Sequence, residues 1–194
     1  MIAAACGLVA VLMSGRWWFL LIGALAILAA WFYTGGKRPY GYMGLGELFV
    51  FVFFGLVATV GTVWLQSETL PQEAWLAGTG VGLLAVAVLV ANNTRDIPTD
   101  RLAGKRTLSV MIGDRASRIF YAVCALLPFA LPGAYLWLGV YSGMLLVFFA
   151  LILIIPACVI VLWAKTAREL VLALMLTSLG ALAYGVLLGV AFAF

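Results

Sequence analysis

The 194-residue sequence contains no histidine, and Asp, Glu, Lys and Arg together make up only 9% of it. Without histidine there is no Ser-His-Asp triad, no histidine general base and no His-ligated metal or haem. Three cysteines, Cys6, Cys124 and Cys158, stand singly in apolar runs with no C-x-x-C spacing. Neither a zinc site nor a disulfide framework is indicated, and packing as small buried hydrophobes suits them. The N-terminal stretch lacks a basic region ahead of its apolar residues and so departs from a signal-peptide layout. A net charge of +4 is too small to argue for a nucleic-acid partner. What fills the chain is apolar: hydrophobic residues are 66% of it, and the mean hydropathy is +1.21. A soluble domain carries about 25% charged and about half apolar residues, so a surplus of this size belongs in a lipid bilayer. The fold class expected is all-α, a polytopic transmembrane helix bundle.

Polar breaks divide the chain into seven apolar segments, at 2–13, 17–33, 48–65, 75–91, 119–138, 142–164 and 170–193. Each is long enough, or nearly so, to cross a membrane as a helix, the open element whose backbone is satisfied in lipid. The first is short of the ~20 residues an upright span needs. It is therefore tilted, packed inside the bundle, or the tail of a helix that begins earlier. Pro128, Pro132 and Pro156 are expected to kink the fifth and sixth helices. Gly78, Gly80 and Gly82 are expected to permit a close helix approach. Lys37 and Arg38 follow the second segment; Arg95, Arg101, Lys105, Arg106, Arg115 and Arg118 follow the fourth; Lys165 and Arg168 follow the sixth. Only Arg16, among the basic residues, lies on an intervening connection. By the positive-inside rule the three basic connections face the cytoplasm, which agrees with the helix count.

The chemistry concentrates after the fourth segment, in NNTRDIPTDRLAGKRTL from Asn92 to Leu108, read here as a loop. Asp96 and Asp100 are four apart, which on a helix stacks them on one face. Carboxylates so placed repel unless a cation lies between them, and Mg²⁺ is the natural occupant, shared with substrate phosphates. Arg95, Arg101, Lys105 and Arg106 are suited to phosphate oxygens. On spacing alone, a solvated loop with local ion pairs fits equally well. Asn92 and Asn93 favour a site, because polar side chains at the membrane boundary tend to line a cavity. A second cluster runs from Tyr33 to Tyr42, YTGGKRPYGY. Tyr33 and Lys37 are candidates for an anionic headgroup, whereas Lys37 and Arg38 also serve as topology determinants and Tyr40 and Tyr42 as interfacial anchors. Glu47, at the mouth of the third helix, is either a site acid or a favourable charge at a helix N-terminus.

The stretch NNTRDIPTDRLAGKRTLSVMIG, Asn92 to Gly113, strongly resembles the second aspartate-rich motif of the UbiA superfamily of membrane prenyltransferases. Tyr33 to Arg38 resembles that family's Y-x-x-x-K-R element. The run from Tyr33 to Gln66 is most similar to the branch that acts on 1,4-dihydroxy-2-naphthoate in menaquinone synthesis. The resemblance implies a nine-helix fold, with the seven segments as helices three to nine. It implies a polyprenyl diphosphate donor, an aromatic acceptor, loss of CO₂, and a bacterial plasma membrane with cytoplasmic active-site loops. Carried over, Asp96 and Asp100 are Mg²⁺ ligands. Lys37 contacts the diphosphate and Tyr33 lines the cavity, while Asn92, Asn93, Arg95, Lys105, Arg106 and Arg38 bind substrate. One departure is plain: the family's first motif, N-D-x-x-D, has no counterpart, since Glu47, Glu68 and Glu73 are the only acids before residue 92. The expectation is a single prenyltransferase domain over 1–194 that is incomplete at its N-terminus and inactive alone. Another aromatic acceptor of the 4-hydroxybenzoate kind would use the same metal chemistry. A transporter or scaffold is the reading of a different class; transport would call for polar groups at the midplane of several helices, which these segments nearly lack.

Overall fold

The computed structural model describes residues 2–35 and 39–193. They form eight helices and no strand: α1 (Ile2–Ser14), α2 (Phe19–Thr34), α3 (Gly46–Ser67), α4 (Gln72–Leu102), α5 (Leu108–Ile112), α6 (Asp114–Trp137), α7 (Ser142–Trp163) and α8 (Ala167–Ala193). All seven apolar segments are helices, and α5 is a short addition inside the polar connection. Five of them, α3, α4, α6, α7 and α8, are long and apolar enough to cross a membrane. The α1 and α2 helices are apolar but shorter. They form a hairpin whose turn is fastened to the end of α3. There Arg16 pairs with Glu68, its guanidinium lies 4.7 Å from the Trp64 ring centre, and Trp18 meets Trp64 edge-on at 4.8 Å. Along the rest of its length the hairpin leaves an apolar groove of 630 Å³ against α3.

The core sits between α4, α6, α7 and α8. Leu84, Val90, Tyr121, Met144, Val147, Ile154, Val161 and Tyr184 are closed off there, while the outward faces of the same helices expose Leu, Ile, Val, Phe and Trp to the lipid side. Such an arrangement is unstable in water and natural in a bilayer, where the outer face meets acyl chains. The α4 helix is the hub, packing against α3, α6 and α8. Its glycines do what their spacing predicts. A Cβ on Gly55 of α3 would come within 2.5 Å of the Gly82 Cα, and one on Gly80 within 2.4 Å of the Tyr184 hydroxyl. Backbones that meet so closely exchange extensive van der Waals contact, the main attraction available between helices in lipid. The wall of α3 facing α4 is wound as a π-helix from Phe51 to Val60. That winding, which broadens a helix, is frequent at functional sites.

Proline breaks α6 as expected, with a 3₁₀ turn at Leu127–Phe129. Pro132 cannot donate to the carbonyl four residues back, at Pro128. The Tyr184 hydroxyl donates to that carbonyl instead, at 3.1 Å. A neighbouring helix thus satisfies the backbone group that proline frees, as a low-dielectric interior demands. Tyr121 is treated likewise: Thr177 donates to the Ala173 carbonyl, leaving its oxygen to accept from the Tyr121 hydroxyl at 2.5 Å.

Candidate active site

The segment read as a loop from Asn92 is helix: α4 continues without a break to Leu102, carrying Asn92 to Asp100 on its last turns. Two facts explain the correction. Proline at position 98 has lost only one backbone bond, to Thr94, and the remaining residues keep helical pairing around it. The helix also outruns the membrane: 31 residues rise ~47 Å, against a hydrocarbon core of ~30 Å, so polar turns can project from the bilayer mouth. The helix ends in a Schellman turn. The Lys105 amide donates to the Asp100 carbonyl at 2.9 Å and the Gly104 amide to that of Arg101 at 3.2 Å. Gly104 has φ +70°, a conformation that costs other residues about 1–2 kcal/mol.

That turn folds Lys105 back over the helix end. Its ammonium sits 3.1 Å from Asp100 Oδ1 and 4.9 Å from the centre of the Tyr42 ring. The Asp100 carboxylate, first by hydrogen bond and then by charge, raises the Lys105 pKa above its ordinary value. One turn earlier, Arg95 grips Asp96 with both arms, Nε to Oδ1 at 2.7 Å and Nη2 to Oδ2 at 2.8 Å. Arg95 Nη2 also donates to Asn92 Oδ1 at 2.9 Å, and Asn92 Nδ2 reaches Asp96 Oδ2 at 3.5 Å. Two carboxylates one turn apart are thus held by one cation each. Asp100 is 7% exposed, whereas Asp96 is only half-buried. The Arg106 side chain is exposed, and its backbone amide donates to the Tyr42 carbonyl at 3.0 Å. The turn at Tyr40–Tyr42 is thereby tied to the connection after α4, bringing together the two clusters that the sequence holds more than fifty residues apart.

On the opposite wall, Tyr33 closes α2. A Cβ on Gly41 would stand 2.9 Å from its ring, so glycine there leaves the ring its room, and Gly46 lies beside its hydroxyl at ordinary contact distance. An apolar pocket of 430 Å³ opens from Tyr33 between α2 and α3, lined also by Phe49, Val50, Phe53 and Phe54. Glu47, in the first turn of α3, is 5% exposed and accepts a hydrogen bond from Asn93 Nδ2 at 3.0 Å. Of the expected site residues, Tyr33, Asn92, Asn93, Arg95, Asp96, Asp100, Lys105 and Arg106 thus gather at one end of the bundle; Lys37 and Arg38 lie outside the described residues. Sequence reasoning left Glu47 open between a site acid and a favourable charge at a helix N-terminus, and took Tyr42 as an anchor alone. The signal for Glu47 was an acid abutting an apolar span; nothing in the sequence pointed to Tyr42 as a partner for Lys105. Thr94 Oγ1 is the one buried side-chain polar atom among the described residues without a hydrogen-bond partner. Among those residues, no group of three or more acids or cysteines could hold a metal.

Fold and site together define a multi-pass helical membrane protein with a carboxylate–cation cluster at the mouth of an apolar bundle. A profile of the UbiA prenyltransferase family matches residues 1–179, and the chain belongs to that family. It is 46% identical over 140 residues to the 1,4-dihydroxy-2-naphthoate octaprenyltransferase of Mycobacterium tuberculosis, covering 70% of this chain and 48% of that protein. The Escherichia coli protein of the same name is 45% identical over 138 residues, covering 66% of this chain and 45% of its own length. The UbiA prenyltransferase domain-containing protein 1 of Gallus gallus is 33% identical over 101 residues, covering 52% of this chain and 30% of that protein. The chain spans about half the length of the bacterial relatives it matches. No solved structure matches it.

Proposed function

We propose that this chain carries the second aspartate-rich half of a prenyltransferase that moves a polyprenyl group from its diphosphate to 1,4-dihydroxy-2-naphthoate, with loss of CO₂. One observation carries the reading: Asp96 and Asp100 stand one turn apart at the bundle mouth, each beside a cation able to transfer to phosphate. Two carboxylates with the Asn92 side chain beside them are hard oxygen donors, the chemistry Mg²⁺ takes when phosphates complete its shell, so the residues present fit such an ion. Asp96 and Asp100 would hold it, and it would neutralise charge on the departing diphosphate.

The chain's own residues supply the rest. Arg95 and Lys105 move from carboxylate to phosphate oxygens as the diphosphate binds, and Arg106 adds charge at the rim. The isoprenoid tail occupies the pocket that starts at Tyr33, where Phe49, Phe53 and Phe54 exclude water. When the allylic C–O bond breaks, its electron pair leaves with the diphosphate. The aromatic faces of the pocket favour the positive charge left behind. The electron-rich ring attacks that carbon, and the pair from the departing carboxylate's C–C bond stays in the ring. The basic connections that hold the site face the cytoplasm, as positive-inside charge requires. The acceptor's identity is drawn from the names of the bacterial relatives.

The test is binding of geranyl diphosphate, with and without Mg²⁺, to the chain in lipid nanodiscs. Metal-enhanced binding that Asp96→Asn and Asp100→Asn each weaken by about tenfold supports the reading, a tenfold change being ~1.4 kcal/mol. Binding indifferent to both aspartates overturns it. With two site carboxylates alone, these 194 residues are expected to bind without turning over; prenylated naphthoquinol formed by the purified chain would refute that.

A further inference from the structure

We infer that the Glu47–Asn93 pair recognises a ring hydroxyl of the aromatic acceptor, an inference that rests on the prenyltransferase reading above. A carboxylate in the first turn of an apolar span is costly and needs a reason. Asp96 and Asp100 each have a cation; among the described residues Glu47 has none, and its one side-chain partner is the Asn93 amide, at 3.0 Å. A carboxylate has about four lone-pair sites; the Asn93 amide and the Glu47 backbone amide take two of them, which leaves accepting capacity for a further donor. A carboxylate with no cation beside it among the described residues repels a diphosphate, which disfavours the donor's head group as its ligand. Two acids of the cluster already stand at the metal position, and Glu47 lies on a different helix from both. The partner that suits it is a neutral O–H donor carried on an apolar body, the description of a hydroxylated aromatic ring.

Position supports the same assignment. Asn93 precedes Asp96 by three residues on α4, so the pair lies ~4.5 Å deeper along the helix axis than the first carboxylate. A ring bound there lies one turn below the diphosphate, on the bilayer side, where the carbon released from the diphosphate would be. Asn93 Nδ2 holds one carboxylate oxygen, which orients the group across the α3–α4 interface.

The experiment measures binding of 1-hydroxy-2-naphthoate, its 1-methoxy counterpart and geranyl diphosphate with Mg²⁺ to the full chain in nanodiscs. Wild type is expected to prefer the hydroxy over the methoxy ligand. Glu47→Gln is expected to weaken the hydroxy ligand about tenfold, the difference between charged and neutral acceptors. Glu47→Asp should lose less, and geranyl diphosphate should bind all three proteins alike. Equal loss on hydroxy and methoxy ligands, or no loss with Gln, overturns the inference while the diphosphate reading stands. Wild type that binds geranyl diphosphate but shows no hydroxy preference overturns it in the same way. A wild-type chain that binds neither class of ligand overturns the inference and the reading together. Should Glu47→Gln fail to fold, the wild-type preference and Glu47→Asp still decide.

Discussion

Lys105 shows how one residue joins three pieces of the site. Its backbone closes the Schellman turn, its ammonium neutralises Asp100, and the same ammonium lies over Tyr42. Replacing it by Met keeps the stem and deletes the charge. Because the ammonium is accessible while Asp100 is nearly buried, the expected loss of stability is moderate, about 1–3 kcal/mol in thermal unfolding. Geranyl diphosphate affinity should also fall about tenfold, since a charge-assisted hydrogen bond to phosphate is lost. A large stability loss with unchanged affinity would make Lys105 a structural strut. The spacing of Asp96 and Asp100 and the basic residues around them were legible in the sequence, although the segment reads as a loop there and only the structure makes them helical i,i+4 neighbours. The partner of each carboxylate was not: a side chain as long as Arg95 reaches several acceptors, and packing selects the one it meets.

At the scale of elements, helix contact rests on small residues and on shared backbone groups. Gly55→Ala drives a methyl into the Gly82 backbone, where neither side has a flexible group to yield. A destabilisation of about 1–3 kcal/mol is expected. Gly61→Ala, one to two turns on in the same helix and with no neighbour within 4 Å, should instead be neutral or stabilise by up to ~1 kcal/mol. Measuring both by thermal unfolding in detergent separates packing from helix propensity; equal effects would deny the close approach. Tyr184→Phe removes the donor that answers the Pro128 carbonyl and should cost about 1–3 kcal/mol. The kink in α6 was legible from Pro128 and Pro132, whereas the tyrosine from α8 that makes it tolerable was not. The extent of α4 was misread because loss of apolarity at Asn92 marks the edge of the membrane and not the end of the helix.

For the whole molecule, the division of charge between the two ends predicts an orientation by the positive-inside rule. Among the described residues, every basic side chain but Arg16 belongs to the end that holds the site, and the other end carries Arg16 with Glu68 and Glu73. In a variant with Cys6, Cys124 and Cys158 replaced by Ser, a single cysteine at Gly104 is expected to react with an impermeant thiol reagent from the cytoplasmic side alone. One at Ser67 should react from the opposite side alone. Reaction of both from one side would remove the topology on which the site's orientation depends.

The residues by themselves determined that this is a helical membrane bundle, where its apolar segments lie, and that Asp96 and Asp100 stand at a spacing that would stack them on one face were the segment helical. Those properties follow from composition and from the 3.6-residue period, both local to the chain. That the segment is helix came from the structure. Only the tertiary structure decided that Glu47 meets Asn93, that Lys105 lies over Tyr42, and that Gly55 seats against Gly82. Glu47 and Asn93 are 46 residues apart in the chain, and no local rule relates them. Such pairs are selected by how α3 and α4 pack, and that packing is a property of all the helices at once.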